Sequence, residues 1–163
     1  MVTYKNGDLL SSGCKVICHQ VNCQGVMGSG IAKEIRNRFP IAYDTFRKSF
    51  INGEAKLGNI DIAFDHDEYN QRSGCWLFIC NMYAQFHYLP RGIVHTDYNA
   101  LRSCIDKLKK EIERRWKDRD DLVIGFPYGI GCGLGGGDWN IVKNIIEEEF
   151  ADDKWKVEIW KLN

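Results

Sequence analysis

The chain has 163 residues, of which 44% are hydrophobic and 12% aromatic, and its 22 Lys and Arg residues balance 22 Asp and Glu residues. This length fits a single domain with its own core, because domains run to roughly 100–200 residues. The zero formal charge argues against a protein that coats nucleic acid, because such a protein needs surplus Lys and Arg. Binding of a small or phosphorylated ligand is compatible with zero net charge.

The apolar spacing alternates between strand-like and helix-like patterns along the chain. Pro40 and Gly53 end the first two predicted helices, the polar stretch 65–74 predicts a turn, and Asp138 is a candidate helix N-cap. This alternation predicts an α/β sandwich, a central sheet with helices on both faces. In chain order, the predicted elements are a strand at 15–21, helices at 31–39 and 43–50, strands at 59–64 and 76–81, a helix at 98–112, a strand at 122–126, a helix at 139–150 and a strand at 155–162.

The cysteines indicate the redox state of the cellular compartment in which the protein resides. There are seven, an odd number, and several lie inside apolar runs such as 76–80. The chain shows no N-terminal signal segment, and no apolar run approaches the roughly 18 residues of a membrane span. We therefore expect a soluble protein in a reducing, cytoplasmic location, without a membrane partner.

Two glycine-rich loops each connect a predicted strand to a predicted helix. The first covers residues 25–30 and the second residues 129–137. Glycines at such a junction leave backbone N–H groups unobstructed at a helix N-terminus, where the helix dipole favours an anion. Two such loops at the carboxyl ends of one sheet predict a clamp on both phosphates of a diphosphate. The alternative is that the glycines only make tight turns.

Other phosphate motifs fit less well. The chain lacks G-x-x-x-x-G-K-[ST], and no cysteine is followed by Arg six positions later, which excludes a P-loop and a cysteine phosphatase loop. The run 131–136 matches the dinucleotide fingerprint, with Glu158 beyond it, but only one strand follows. The acidic run 65–69 departs from D-x-D-x-[TV] at Tyr69, so we interpret it as an exposed turn.

Three segments, 7–9, 19–32 and 130–134, resemble in sequence and order the macrodomain family of ADP-ribose binders. The resemblance spans nearly the whole chain. It is closest to the branch containing ADP-ribose 1''-phosphate phosphatases and the terminal ADP-ribose protein glycohydrolase. It implies that residues 1–163 form one three-layer α/β/α macrodomain with a central mixed sheet.

The resemblance also implies a binding site. Asp8 would accept a hydrogen bond from the adenine amine, the Leu9 N–H would meet a ring nitrogen, Asn22 would lie near the distal ribose, and Trp160 would stack on adenine. The alternatives are that Asp8 is a turn residue and Trp160 a core residue. The expected substrate-binding residues are Gly7, Asp8, Leu9, Gln20, Val21, Asn22, Met27, Gly28, Ser29, Gly30, Ile31, Ala32, Ile130, Gly131, Cys132, Gly133, Leu134, Gly135 and Trp160.

The residues for catalysis differ from those of the glycohydrolase branch. That branch uses a Lys to form a covalent sugar intermediate and an Asp in the second loop, and we place these positions at Asn81 and Gly135. An amide cannot replace a Schiff-base-forming amine, so a lysine-dependent mechanism is not expected here. Asp138 lies a few residues beyond as a substitute, although an N-cap role already explains it.

His19 resembles the histidine of the phosphatase branch and is the predicted catalytic residue. Its imidazole would orient a water or protonate the leaving oxygen, whereas the alternative is a buried core histidine. His87 and Asp97 are weaker candidates for a second group. Cys14, Cys18, His19 and Cys23 fit no zinc spacing, so we expect neither a metal nor a cofactor.

The favoured function is hydrolysis of ADP-ribose 1''-phosphate to ADP-ribose and phosphate, with His19 assisting. Two alternatives stay open. One is removal of ADP-ribose from a modified protein or nucleic acid by a substrate-bound water, and the other is a reader that binds ADP-ribose without catalysis. The expected partners are ADP-ribose or its 1''-phosphate and ADP-ribosylated macromolecules. The sequence does not indicate an oligomeric state.

Overall fold

The computed structural model describes residues 1–65, 76–118 and 120–163. Six strands form one sheet in the order β1-β6-β5-β2-β4-β3, and every neighbouring pair is parallel except the antiparallel pair β3 and β4. The five parallel strands therefore end at the same edge of the sheet. The strands are β1 Val2–Asn6, β2 Val16–Asn22, β3 Ile60–Asp65, β4 Leu77–Gln85, β5 Val123–Pro127 and β6 Lys156–Lys161.

Helices cover both faces of this sheet. They are α1 Gly30–Arg38, α2 Pro40–Ile51, α3 Tyr98–Arg115 and α4 Trp139–Glu149, with a short 3-10 helix at Leu9–Ser11. Alternate residues of β2 face opposite layers, as expected for a strand. Cys18 belongs to the core under α3 and α4, whereas Ile17 packs with Ile35 of α1. The predicted three-layer α/β/α fold with a mixed sheet is confirmed.

The predicted elements agree with the observed ones apart from their limits. β1 and the 3-10 helix were not predicted, because β1 is a short edge strand with exposed residues from Thr3 to Asn6 and no hydrophobic alternation. β4 runs to Gln85, four residues beyond its predicted end. The predicted turn at 65–74, the acidic run 65–69 beyond Asp65, and Cys75 lie outside the described residues.

Within the described ranges, none of the helices combines the length and apolar character that crossing a membrane requires. The same ranges hold no group of three or more His, Cys, Asp or Glu residues arranged to bind a metal ion.

Candidate functional site

A cleft of about 1030 Å³ lies along the edge where the parallel strands end. This volume is at the upper end of the range for sites that enclose a small ligand, roughly 300–1,000 Å³. Segments that follow β1, β2, β4, β5 and β6 all contribute to its walls. Strand order arranges them along the cleft: Asp8 and Trp160 lie at the β1 and β6 end, and Gln85 lies at the β4 end.

The first glycine loop lies between β2 and α1 and is shaped by Asn22. The Asn22 Nδ2 donates to the Val26 carbonyl at 2.7 Å, and its Oδ1 accepts from the Gln24 N–H at 2.9 Å. Asn22 lines the cleft, as expected, but its amide already holds the loop. These hydrogen bonds hold the loop in the conformation that leads into the first turn of α1.

The start of α1 opens into the cleft. Residues 28–32 line it, and the Ser29 side chain makes no capping hydrogen bond. The backbone N–H groups of residues 30–32 have no acceptor in the described parts of the chain, as expected for the first turn of a helix. Unpaired N–H groups together with the helix dipole make this end suited to an anion.

The second glycine loop, between β5 and α4, closes on itself in turns. Internal N–H to carbonyl bonds join 132 to 129, 136 to 133 and 137 to 131 at 2.8–3.0 Å. The N–H groups of residues 131 and 133–135, which line the cleft, have no acceptor among the described residues. Both loops thus present free amides to one cleft.

Helix α4, unlike α1, does not add its N-terminus to the cleft. Asp138 is its N-cap and accepts from the Asn140 N–H at 2.8 Å, so a carboxylate already satisfies this end of the helix. Asp138 does not line the cleft. A helix N-terminus was predicted to support each loop. This holds for the first loop, at the start of α1, whereas the free amides of the second loop come from turns.

Three side chains under the second loop form a hydrogen-bonded floor. The Gln20 Nε2 donates to Gln85 Oε1 and to Thr96 Oγ1, each at 2.9 Å, and the Thr96 hydroxyl donates to the Gly131 carbonyl at 2.6 Å. A Cβ atom on Gly135 would lie 2.6 Å from the Gly131 carbonyl oxygen. Only glycine therefore lets the loop sit this close to its floor.

At the opposite end of the cleft, Asp8 is part of an ion pair. Its Oδ2 accepts from Arg38 at 2.7 Å, and its Oδ1 accepts from the Leu10 N–H at 3.0 Å. Burial raises the pKa of Asp8, but hydrogen bonds from Arg38, Leu10 and Ser11 outweigh burial and hold that pKa below its ordinary value. Asp8 is therefore ionised at neutral pH and can accept a further hydrogen bond.

Trp160 forms part of the cleft wall. Its ring lies against Gly7, where an added Cβ would approach it to 3.1 Å, and its Nε1 donates to Glu158 at 2.8 Å. The ring is half-buried and its indole N–H is satisfied, so the part that lines the cleft offers an apolar face.

His19 lies in the sheet interior and does not line the cleft. It is fully buried, and its Nε2 lies 2.5 Å from Asn81 Oδ1. Asn81 donates to Asp61 at 2.6 Å, and Tyr83 and Ser49 donate to the same carboxylate at 2.7 and 2.9 Å. Burial, opposed by the bond to Asn81, lowers the pKa of His19 to about 4. This placement matches the alternative of a buried core histidine.

The residue of β4 that reaches the cleft is Gln85 rather than Asn81. Asn81 is fully buried in the His19 network, so assigning it to the lysine position of the glycohydrolase branch was wrong. Both side chains are amides, and the expectation that no lysine acts here is unchanged. Gly135 lines the cleft, as expected.

The two weaker catalytic candidates make local backbone contacts. The His87 Nδ1 accepts from the N–H groups of Tyr88 and Leu89 at 3.0 and 3.2 Å. Asp97 caps α3 by accepting from the Ala100 N–H at 2.9 Å. Neither side chain lines the cleft.

Every residue predicted to bind substrate lines the cleft except Cys132, whose thiol donates to the Ile130 carbonyl at 3.3 Å. Sequence reasoning missed several lining residues, and those at the end of β4 and in the segment after it were missed because β4 was predicted to end too early to reach this edge. The missed residues include Arg38, Gln85, Tyr88, Leu89, Arg91 and Tyr128.

No family model matches the chain. A DNA ADP-ribosyl glycohydrolase of Mycobacterium tuberculosis is 38% identical over 151 residues, which is 92% of this chain and 39% of that protein. The chain thus spans about two fifths of the length of that relative. An ADP-ribose 1''-phosphate phosphatase of Debaryomyces hansenii is 25% identical over 169 residues, covering 91% of this chain and 93% of that protein. The macrodomain of Mycobacterium tuberculosis DarG superposes with a TM-score of 0.81 at 24% identity, covering 98% of this chain and 97% of that one.

Proposed function

This chain belongs to the macrodomain family, and from that premise we propose that its cleft binds ADP-ribose and hydrolyses the bond that joins the distal ribose to DNA. The observation that carries the proposal is the pair of glycine loops, whose free amides meet at one cleft. The relative that is 38% identical supports a glycohydrolase more strongly than the relative at 25% supports a phosphatase. The phosphatase reaction, favoured from sequence, becomes the second candidate.

The order of groups along the cleft supports one orientation of the ligand. Asp8 accepts from the adenine amine, and the Trp160 ring packs beside the base. The diphosphate lies between the start of α1 and residues 131–135, where free N–H groups replace its hydration. The distal ribose then reaches the carboxyl ends of β2 and β4.

The polar side chains that β2 and β4 present to the cleft at that end are the amides of Gln20, Asn22 and Gln85. None is a nucleophile of the kind that forms a covalent sugar intermediate. Water therefore attacks C1'' of the distal ribose directly. The bond between C1'' and the DNA breaks, its electron pair stays on the departing DNA group, and the proton of the attacking water passes by way of a substrate phosphate oxygen to that group. Both Nε2 hydrogens of Gln20 are engaged with Gln85 and Thr96, whereas Asn22 and Gln85 each keep one amide hydrogen that can orient the ribose for this attack.

The second candidate, removal of phosphate from ADP-ribose 1''-phosphate, has one specific observation in its favour. The Debaryomyces hansenii phosphatase is matched over 93% of its length, whereas the mycobacterial glycohydrolase is matched over 39%. A phosphatase of this kind would use the same cleft, with water attacking phosphorus instead of carbon.

One assay separates these activities. The protein is incubated with a single-stranded oligonucleotide bearing ADP-ribose on one base and, separately, with ADP-ribose 1''-phosphate. Mass spectrometry follows unmodified oligonucleotide, and a phosphate assay follows the second reaction. Release of unmodified oligonucleotide supports the proposal, and phosphate release alone supports the second candidate. If neither product forms while ADP-ribose binds, the protein is a reader and the proposed hydrolysis is wrong.

A further inference from the structure

The segment 86–94, which joins β4 to the stretch before α3, exposes apolar surface beside the cleft; we call it the rim loop. Phe86 is 58% exposed, Leu89 49%, Ile93 51% and Val94 60%. Isolated exposed apolar residues are ordinary on protein surfaces, whereas a group of them at the rim of a cleft marks a binding surface.

Hydrogen bonds hold the backbone of the rim loop in place. The Phe86 carbonyl accepts from the Cys23 N–H at 3.1 Å and from Gln24 Nε2 at 3.0 Å. The Gln85 Nε2 donates to the His87 carbonyl at 2.9 Å, and His95 Nε2 lies 2.7 Å from the Pro90 carbonyl oxygen. The apolar side chains are therefore displayed on an ordered backbone, which lowers the entropic cost of binding a partner.

The rim loop lies at the end of the cleft where the distal ribose is proposed to sit. It follows Gln85, at the β4 end, whereas Asp8 and Trp160 stand at the β1 and β6 end. Tyr88, Leu89 and Arg91 line the cleft as well. A macromolecule attached at C1'' therefore passes next to this loop as it leaves the cleft.

The chemistry of the rim loop suits single-stranded DNA. Residues 86–94 contain no Asp or Glu. Arg91 is exposed and forms no ion pair with any residue that the structure describes. Tyr88 is half-buried, with its ring 5.5 Å from that of His87. Aromatic rings that stack on bases, interleaved with cations that contact phosphates, are the usual way to hold a single strand.

We propose that the rim loop binds the DNA strand on either side of the ADP-ribosylated nucleotide, with Tyr88 stacked on a neighbouring base and Arg91 on a flanking phosphate. The proposal rests on the proposed function. Residues 86–94 contain one Arg and no Lys, which limits this contact to about one phosphate, since each neutralised phosphate needs a cation. DNA without ADP-ribose therefore binds weakly.

The test compares an ADP-ribosylated seven-nucleotide DNA with the ADP-ribosylated mononucleoside. The readout is kcat/KM where hydrolysis occurs and the dissociation constant where it does not. We expect the seven-mer to be preferred roughly tenfold, the size of one base–aromatic stacking contact. Tyr88→Ala should abolish this preference, and Tyr88→Phe should retain it because the ring remains.

Arg91→Ala gives an independent readout, the dependence on salt. In this variant, the slope of log kcat/KM, or of log affinity, against log salt concentration for the seven-mer should be smaller in magnitude by about 0.7, the contribution of one phosphate of a single strand. The control Lys48→Ala removes an exposed cation of α2 that does not line the cleft, and its slope should match that of the wild type.

Two results would overturn the rim-loop proposal while leaving the proposed function intact: equal values for the seven-mer and the mononucleoside, or equal losses on both substrates in Tyr88→Ala. Failure of the proposed function has a different signature. In that case neither substrate is hydrolysed, whether or not free ADP-ribose binds.

Discussion

Glycine serves two different purposes in the second glycine loop. At Gly135 a side chain would collide with the Gly131 carbonyl oxygen and with Thr96, so glycine there lets the loop fold. At Gly133 an added Cβ would meet no atom within 4 Å, because the residue faces open space in the cleft. Gly135 therefore matters for the fold of the loop, and Gly133 matters for access of the ligand.

Gly133→Val should remove ADP-ribose binding while leaving the fold intact, because the new side chain fills the space meant for the diphosphate. We expect affinity to fall more than about 100-fold, equivalent to about 2.7 kcal/mol. Stability should change by less than about 0.5 kcal/mol, as is usual for substitutions away from the core. Calorimetric titration and thermal unfolding measure the two quantities. Gly135→Val is the matched control and should lose both ADP-ribose affinity and stability. Unchanged ADP-ribose affinity in Gly133→Val would contradict the proposed binding of the diphosphate between the two loops.

His19 should make the protein sensitive to acid. Burial lowers the pKa of the folded-state imidazole from 6.5 to about 4, so between these values the unfolded chain binds more protons. The contribution of His19 to stability is therefore full above pH 6.5 and is lost as the pH falls toward 4. We expect the free energy of unfolding to drop by about 2 kcal/mol between pH 7 and pH 5.

Urea unfolding at both pH values measures this drop, and His19→Gln should reduce it. Asp61 acts in the opposite sense, because burial raises its pKa and its protonation therefore adds stability as the pH falls. If the wild type and His19→Gln lose the same free energy of unfolding between pH 7 and pH 5, His19 is not buried in its neutral form.

At the scale of elements, the sequence predicts the order of strands and helices well and the ends of fully buried strands poorly. Every residue of β4 from 77 to 84 is buried, so no polar position marks where the strand stops. Because β4 was predicted to end at 81, neither the position of Gln85 in the cleft nor the rim loop was predicted. In β2 the alternation of side chains decides which face a residue meets: Gln20 reaches the cleft floor, and the adjacent His19 faces α2.

Thr96 links the segment before α3 to the second glycine loop and should act as a positioning residue for it. Thr96→Val removes the hydroxyl that accepts from Gln20 and donates to the Gly131 carbonyl. We expect a stability loss of about 1–2 kcal/mol from the unsatisfied partners. ADP-ribose affinity should fall roughly tenfold, about 1.4 kcal/mol.

Thr96→Ser keeps the hydroxyl and should restore both properties, as measured by urea unfolding and titration. If the Val and Ser variants bind ADP-ribose equally well, the hydrogen bond does not position the loop.

At the scale of the whole molecule, the site depends on bringing together two loops that are about a hundred residues apart in the chain. β2 and β5 are neighbours in the sheet, so their carboxyl ends place residues 28–32 and 131–135 in the same cleft. The composition of each loop can be recognised from sequence. Strand adjacency cannot be read from local patterns, because hydrophobic alternation does not specify which strands pair. The clamp was predicted from the two loops alone, and the structure shows that β2 and β5 are neighbours.

The most direct test of the central claim is backbone amide hydrogen exchange with and without saturating ADP-ribose. Both glycine loops are proposed to donate their free N–H groups to one diphosphate. We predict slower exchange at residues 30–32 and at residues 131 and 133–135 in the same complex. Protection confined to one loop, or ADP-ribose binding that protects neither, would contradict the account.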